Sequence, residues 1–146
     1  MTDTTVKAPW HLWLVGILAL LFNGFGAFDY VMSMMNGADY MASAGMTPEQ
    51  IAFIQGYPMW MKFVWPIGVW TAVVASVLLL LRKKTASIIF VASLAAFLVS
   101  VLYTYVLTDG GAIWGTPMAV VSAVIVAELV FLAWYSRAMT QRSVLR

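Results

Sequence analysis

Apolar residues recur along the chain without the polar face that would mark an amphipathic surface helix. Four nearly continuous apolar stretches stand out, from about His11 to Met35, Met59 to Leu81, Ala86 to Leu107 and Pro117 to Tyr135. A helix rises 1.5 Å per residue, so about 20 residues cross a hydrocarbon layer about 30 Å thick. Each stretch is long enough. The pattern predicts an all-α membrane protein: a four-transmembrane-helix bundle in up-down-up-down order, with residues 1–146 as one domain. The second-to-third link is little more than Arg82-Lys83-Lys84, which makes those helices antiparallel neighbours.

Residues 36–58 form an outer loop that breaks the apolar pattern. Within it Thr47-Pro48-Glu49-Gln50 places Thr at an N-cap, Pro at N1 and Gln at N3. A short helix is therefore expected from Pro48 to about Gln55, with Ile51 and Ile54 on one face and its end near Gly56 and Pro58. It would lie on the outer end of the bundle, either packed there or acting as a lid over a pocket. Pro66 sits inside the second span, where it removes a backbone donor and predicts a bend near the outer end.

Composition supports the membrane reading. Hydrophobic residues make up 63% of the chain and charged residues 10%, and mean hydropathy is +0.91. A soluble domain carries about 25% charged residues. Charge placement then orients the bundle. With the N-terminus inside, Lys7, Arg82, Lys83, Lys84, Arg137, Arg142 and Arg146 are all cytoplasmic, and only Lys62 among the cations lies outward. Asp39, Glu49 and Asp109 fall on the outer side. Both chain ends are thus expected in the cytoplasm, and the polar start MTDTTVK leads into an uncleaved first span. Trp10, Trp13, Trp134 and Tyr135 fall at the inner interface, and Tyr57, Trp60, Tyr103, Tyr105 and Trp114 at the outer one.

The same composition narrows the chemistry. There is no cysteine and a single histidine, His11, so thiolate chemistry, cysteine-held clusters and multi-histidine metal sites within one subunit are excluded. No phosphate-binding fingerprint, serine triad or broad basic field is present. No enzymatic activity, no cofactor and no nucleic-acid partner is expected; the expected partners are membrane lipids, a small solute or amphiphile, and a second copy or another membrane subunit. Small residues at four-residue spacing (Gly68, Ala72, Ser76; Ala92, Ala96, Ser100; Ala119, Ala123, Ala127) predict close helix packing within the bundle rather than a pore.

Polar groups at membrane depth are the candidate site, because lipid exposure of such groups costs kilocalories. They are Asn23 and Asp29 in the first span, Lys62 in the second and Glu128 in the fourth. Asp29 and Lys62 lie at comparable height and would form an outer-leaflet ion pair, unless Lys62 snorkels to headgroups and Asp29 faces a wet cavity. Asn23 and Glu128 would meet if the helix rotations allow it. Asn23 and Asp29 differ by about 120° around an ideal helix, so they need not share a site. Gly24, Gly26, Phe22, Phe25 and Phe28 around Asn23 fit either an amphiphile pocket or a tight helix interface. Glu128 is the leading candidate for a side chain whose protonation matters.

Four stretches (LLFNGFGAFDYVMSMMN, the TPEQ element, Pro58-Met59-Trp60 and LLLLRKK) resemble a group of small bacterial four-helix membrane proteins loosely labelled sugar-transporter-like. The resemblance covers about Trp10 to Tyr135 and implies a bacterial inner-membrane protein. Small-solute or amphiphile binding and transport is the function expected. A non-catalytic accessory subunit of a membrane complex is the alternative.

Overall fold

A computed structural model describes residues 6–146; the polar start of the leader before the first span, residues 1–5, lies outside them. Five α-helices follow one another: α1 (Trp10–Ser43), α2 (Pro48–Gln55), α3 (Met59–Leu80), α4 (Ala86–Leu102) and α5 (Gly110–Gln141). A π-helical turn, Tyr103–Leu107, extends α4. Four of these segments, α1, α3, α4 with its π turn, and α5, are long and apolar enough to cross a membrane. The chain is a multi-span membrane helix bundle with one added short helix.

In space the spans follow chain order. Helix α3 packs closely on both α1 and α4, and α4 packs on α5, whereas the α1 and α5 backbones stay farther apart. The α3–α4 contact shows why small residues matter. Ser93, almost fully buried, donates through Oγ to the Gly68 carbonyl at 2.7 Å. A Cβ on Gly68 would lie 3.5 Å from that of Ala96. With no hydrophobic drive between helices in lipid, such close contact is what holds them. The same spacing on α5 has another outcome: Ala119, Ala123 and Ala127 are all exposed, so that stripe does not pack within the subunit.

Helix α2 runs over Pro48–Gln55 as the cap residues predict. Thr47 Oγ1 accepts from the Gln50 amide at 3.2 Å, and the Gln50 side chain accepts from the Thr47 amide at 3.0 Å. Gln50 also donates to the Ile113 carbonyl at 3.3 Å, tying α2 to the start of α5. Ile51 and Ile54 bury with Met41 against Tyr57, Trp65 and Trp114. Phe53 meets Tyr57, Tyr103 and Trp114, and Tyr103 meets Trp60, mostly edge to face. Burial, and secondarily the neighbouring Tyr103, pushes the Tyr57 hydroxyl up to about 12, so Tyr57 is uncharged at any ordinary pH. Phe53 also sits over Gly110, where a Cβ would come within 2.7 Å of the ring and of the Thr104 carbonyl oxygen.

Two spans are interrupted at this end. Gly37 breaks α1 with φ 55° and ψ −135°, and Gly115 breaks α5 with φ 68° and ψ −172°. The first break lies just past the expected end of the first span, and helix resumes beyond it to Ser43. The second lies just before Pro117, where the fourth span was expected to start. Pro66 stays inside a continuous α3.

The opposite end carries the basic residues and is closed by Arg82. This residue adopts φ 59° at the end of α3. Its Nε donates to the Val144 carbonyl at 3.0 Å and its Nη2 to that of Val6 at 2.7 Å. Backbone bonds from Lys84 to Arg146 (2.9 Å) and from Arg146 to Arg82 (2.8 Å) complete the tie, and Val144 and Leu145 are buried. One side chain thus fastens the segments flanking α1 and α5 to the α3–α4 turn. We expect Arg82→Gln to cost about 1–2 kcal/mol, the net value of charge-assisted bonds at a partly wet site. Amide exchange at residues 144–146 should speed up well before exchange in the spans.

Candidate functional site

The site lies where α1 and α5 face each other across their wider seam. Among the described residues, two side-chain hydrogen bonds cross it. Near the basic end His11 Nδ1 is hydrogen-bonded to the Tyr135 hydroxyl, and Tyr135 is buried rather than interfacial. Farther along, Asn23 Nδ2 donates to Glu128 Oε1 at 2.9 Å and reaches Ser76 Oγ of α3 at 3.3 Å. Ser76 in turn donates to the Ala72 carbonyl of its own helix at 2.8 Å. The buried amide of Asn23 therefore links three spans.

Between these two contacts lies a groove of about 550 Å³. Val15, Leu18, Ala19, Leu21 and Phe22 of α1 form one wall, and Phe131 and Leu132 of α5 the other, with Glu128 the one ionisable residue of the lining. Register explains the lining: Leu18 and Phe22 are four apart on α1, and Phe131 and Leu132 follow Glu128 by three and four on α5, so each set shares a helix face. Leu18, Leu21, Phe22 and Phe131 are exposed, so the groove opens on the flank of the bundle. Glu128 is half-buried. Its Oε1 is held by Asn23, while Oε2 is covered and has no hydrogen-bond partner.

Asp29 and Lys62 do not join this site, nor do they pair with each other. The helix break at Gly37 lets the chain fold back so that the Tyr40 hydroxyl donates to Asp29 Oδ1 at 2.9 Å. Lys62 is exposed at the loop end of α3. The expected ion pair is replaced by a bond within the first helix. Gly24 and Gly26 also depart from the tight-interface reading, because a Cβ at either would meet nothing within 4 Å. Phe25 and Phe28 are exposed outside the groove. No residue of α2 lines the groove, so that helix is packing for the loop end and not a lid on Glu128.

Comparison with known protein families, with characterised proteins and with solved structures found no match. Of the resemblance drawn above, the structure retains the four-span helical bundle. The groove residues not singled out from the sequence, Val15, Leu18, Ala19, Leu21 and Phe131, carry no signal of their own in such apolar surroundings, and Ser76 was singled out only as a small packing residue. Only the position of Phe131 and Leu132 one turn beyond Glu128 could have pointed to them.

Proposed function

We propose that this protein binds amphiphilic or small solutes in the groove between α1 and α5 and moves them across the membrane. The observation that carries the reading is the groove's make-up: apolar walls open to the bundle flank and one carboxyl group held from behind by Asn23. Apolar pockets with few convergent polar groups are the common form of small-molecule sites. The walls would take the apolar part of an amphiphile and Glu128 its polar group. In a proton-coupled carrier, Glu128 would be the group that exchanges the proton. The distribution of cations supports placing both chain ends in the cytoplasm, and the resemblance supports a bacterial inner membrane. Two copies would supply eight spans for alternating access.

Proteoliposomes carrying fluorescent dodecyl-chain amphiphiles, run beside a panel of small polar solutes, test this reading. Saturable, protein-dependent movement is expected, reduced severalfold by Leu18→Trp, which fills the groove from an exposed position. Glu128→Gln should preserve assembly and remove the pH dependence of movement. Rates equal to those of protein-free vesicles for every probe would overturn the proposal. One observation favours a second reading, an accessory subunit: the exposed Ala119, Ala123 and Ala127 stripe offers a close-packing face to another helix. Mild extraction would then recover a distinct membrane partner, lost on Ala123→Leu.

A further inference from the structure

We infer that the groove selects amphiphiles with a cationic head, an alkylammonium or similar organic cation, through Glu128 flanked by Phe22 and Phe131; this rests on the groove being a binding site. Three observations converge. First, the carboxyl group is short of partners. Asn23 supplies one bond to Oε1, Oε2 has none, and no lysine, arginine or histidine among the described residues pairs with it. The groups facing it from the packed helices are neutral: Asn23 from α1, with Ser76 of α3 behind. When ionised, a carboxyl group so placed lacks a counter-charge, and a bound cation would provide one and favour the charged form.

Second, the groove lining includes an aromatic ring from each helix, Phe22 and Phe131, each about 45% exposed. Ring faces attract ammonium groups, more strongly where water is excluded. An anionic head would meet like charge, and a neutral hydroxyl would gain one hydrogen bond without balancing the charge. Third, the remaining lining is aliphatic (Val15, Leu18, Ala19, Leu21 and Leu132) and open on the flank. A chain attached to the cation can therefore lie along α1. Since Oε2 is covered, an arriving head reaches it only after a wall side chain shifts.

The test uses the full chain in zwitterionic nanodiscs and three photoreactive dodecyl probes that differ only in the head: trimethylammonium, hydroxyl and sulfate. Crosslinks are mapped by mass spectrometry and binding is measured by competition. The ammonium probe should label residues 15–22 and 128–132 and bind about tenfold more tightly than the hydroxyl probe, the scale of one charge-assisted contact. The sulfate probe should bind more weakly than either. In Glu128→Gln the ammonium advantage should vanish while the hydroxyl probe still labels the groove. Equal binding of ammonium and hydroxyl probes in the parent would overturn the charge selection and leave the groove reading standing; this comparison needs no variant to fold. An ammonium preference surviving in folded Glu128→Gln would do the same. Failure of all three probes to label the groove would overturn both readings.

Discussion

Asn23→Leu should destabilise the bundle in a membrane mimic by about 1–2 kcal/mol, and adding Glu128→Leu should restore most of the loss. The single change leaves the half-buried carboxyl with no hydrogen bond at either oxygen, since Oε2 has no partner to begin with. An unsatisfied buried polar group costs about 1–3 kcal/mol. Interhelical hydrogen bonds within membranes are worth less than that upper figure, because the disordered state also finds partners. Ser76 is unaffected, as its hydroxyl still donates to Ala72. Replacing both members removes the stranded group and leaves apolar side chains facing each other, which is close to neutral. A double-mutant cycle read by reversible unfolding would show coupling of about 1 kcal/mol. Additive effects would mean that the two side chains do not meet.

Gly115→Ala carries the second large effect, about 1–3 kcal/mol, and Gly37→Ala a similar one. Both glycines adopt positive φ with strongly negative ψ (55° and −135° at Gly37, 68° and −172° at Gly115), a region that residues bearing a Cβ occupy only under strain of that order. Gly24 and Gly26 provide the control. Neither has positive φ, and a Cβ at either meets open space, so alanine there should be neutral or slightly stabilising. Thermal unfolding of the four variants should therefore separate into two pairs. If Gly24→Ala proved as damaging as Gly115→Ala, the breaks would not be where the fold places them.

Only part of this fold was legible in the residues alone. Four spans were legible because apolar length is a sufficient signal for crossing a membrane. Helix α2 was legible to the residue because Thr47, Pro48 and Gln50 each have one physical role at a helix start. The breaks at Gly37 and Gly115 were not, because a glycine permits an unusual dihedral without announcing it; Gly24 and Gly37 look alike in sequence. Nor did Arg82 reveal more than its charge. Its clamp on Val6 and Val144 depends on segments far apart in the chain.

The candidate site divides the same way. That Asn23 and Glu128 need shelter from lipid follows from their chemistry, but their meeting depends on the rotation of two helices, which periodicity leaves open. Depth alone made Asp29 and Lys62 look like partners. The turn at Gly37 gave Asp29 to Tyr40 instead. Small-residue spacing identified faces without saying what covers them, so Gly68 packs against α4 while Ala119, Ala123 and Ala127 remain open.

Asn23 and Glu128 join α1 and α5 beside the groove. Solid-state NMR in lipid bilayers can measure this contact directly, because the chain holds only two asparagines, Asn23 and Asn36, and two glutamates, Glu49 and Glu128. Labelling asparagine at Nδ2 with ¹⁵N and glutamate at Cδ with ¹³C isolates the pair, since Asn36 turns instead to the Met32 sulfur. The nitrogen should lie within about 4 Å of the carboxyl carbon, one C–O bond beyond the 2.9 Å hydrogen bond. Dephasing at that distance, lost in Asn23→Leu, is the expected result. No dephasing in the folded, bilayer-embedded parent would contradict the account.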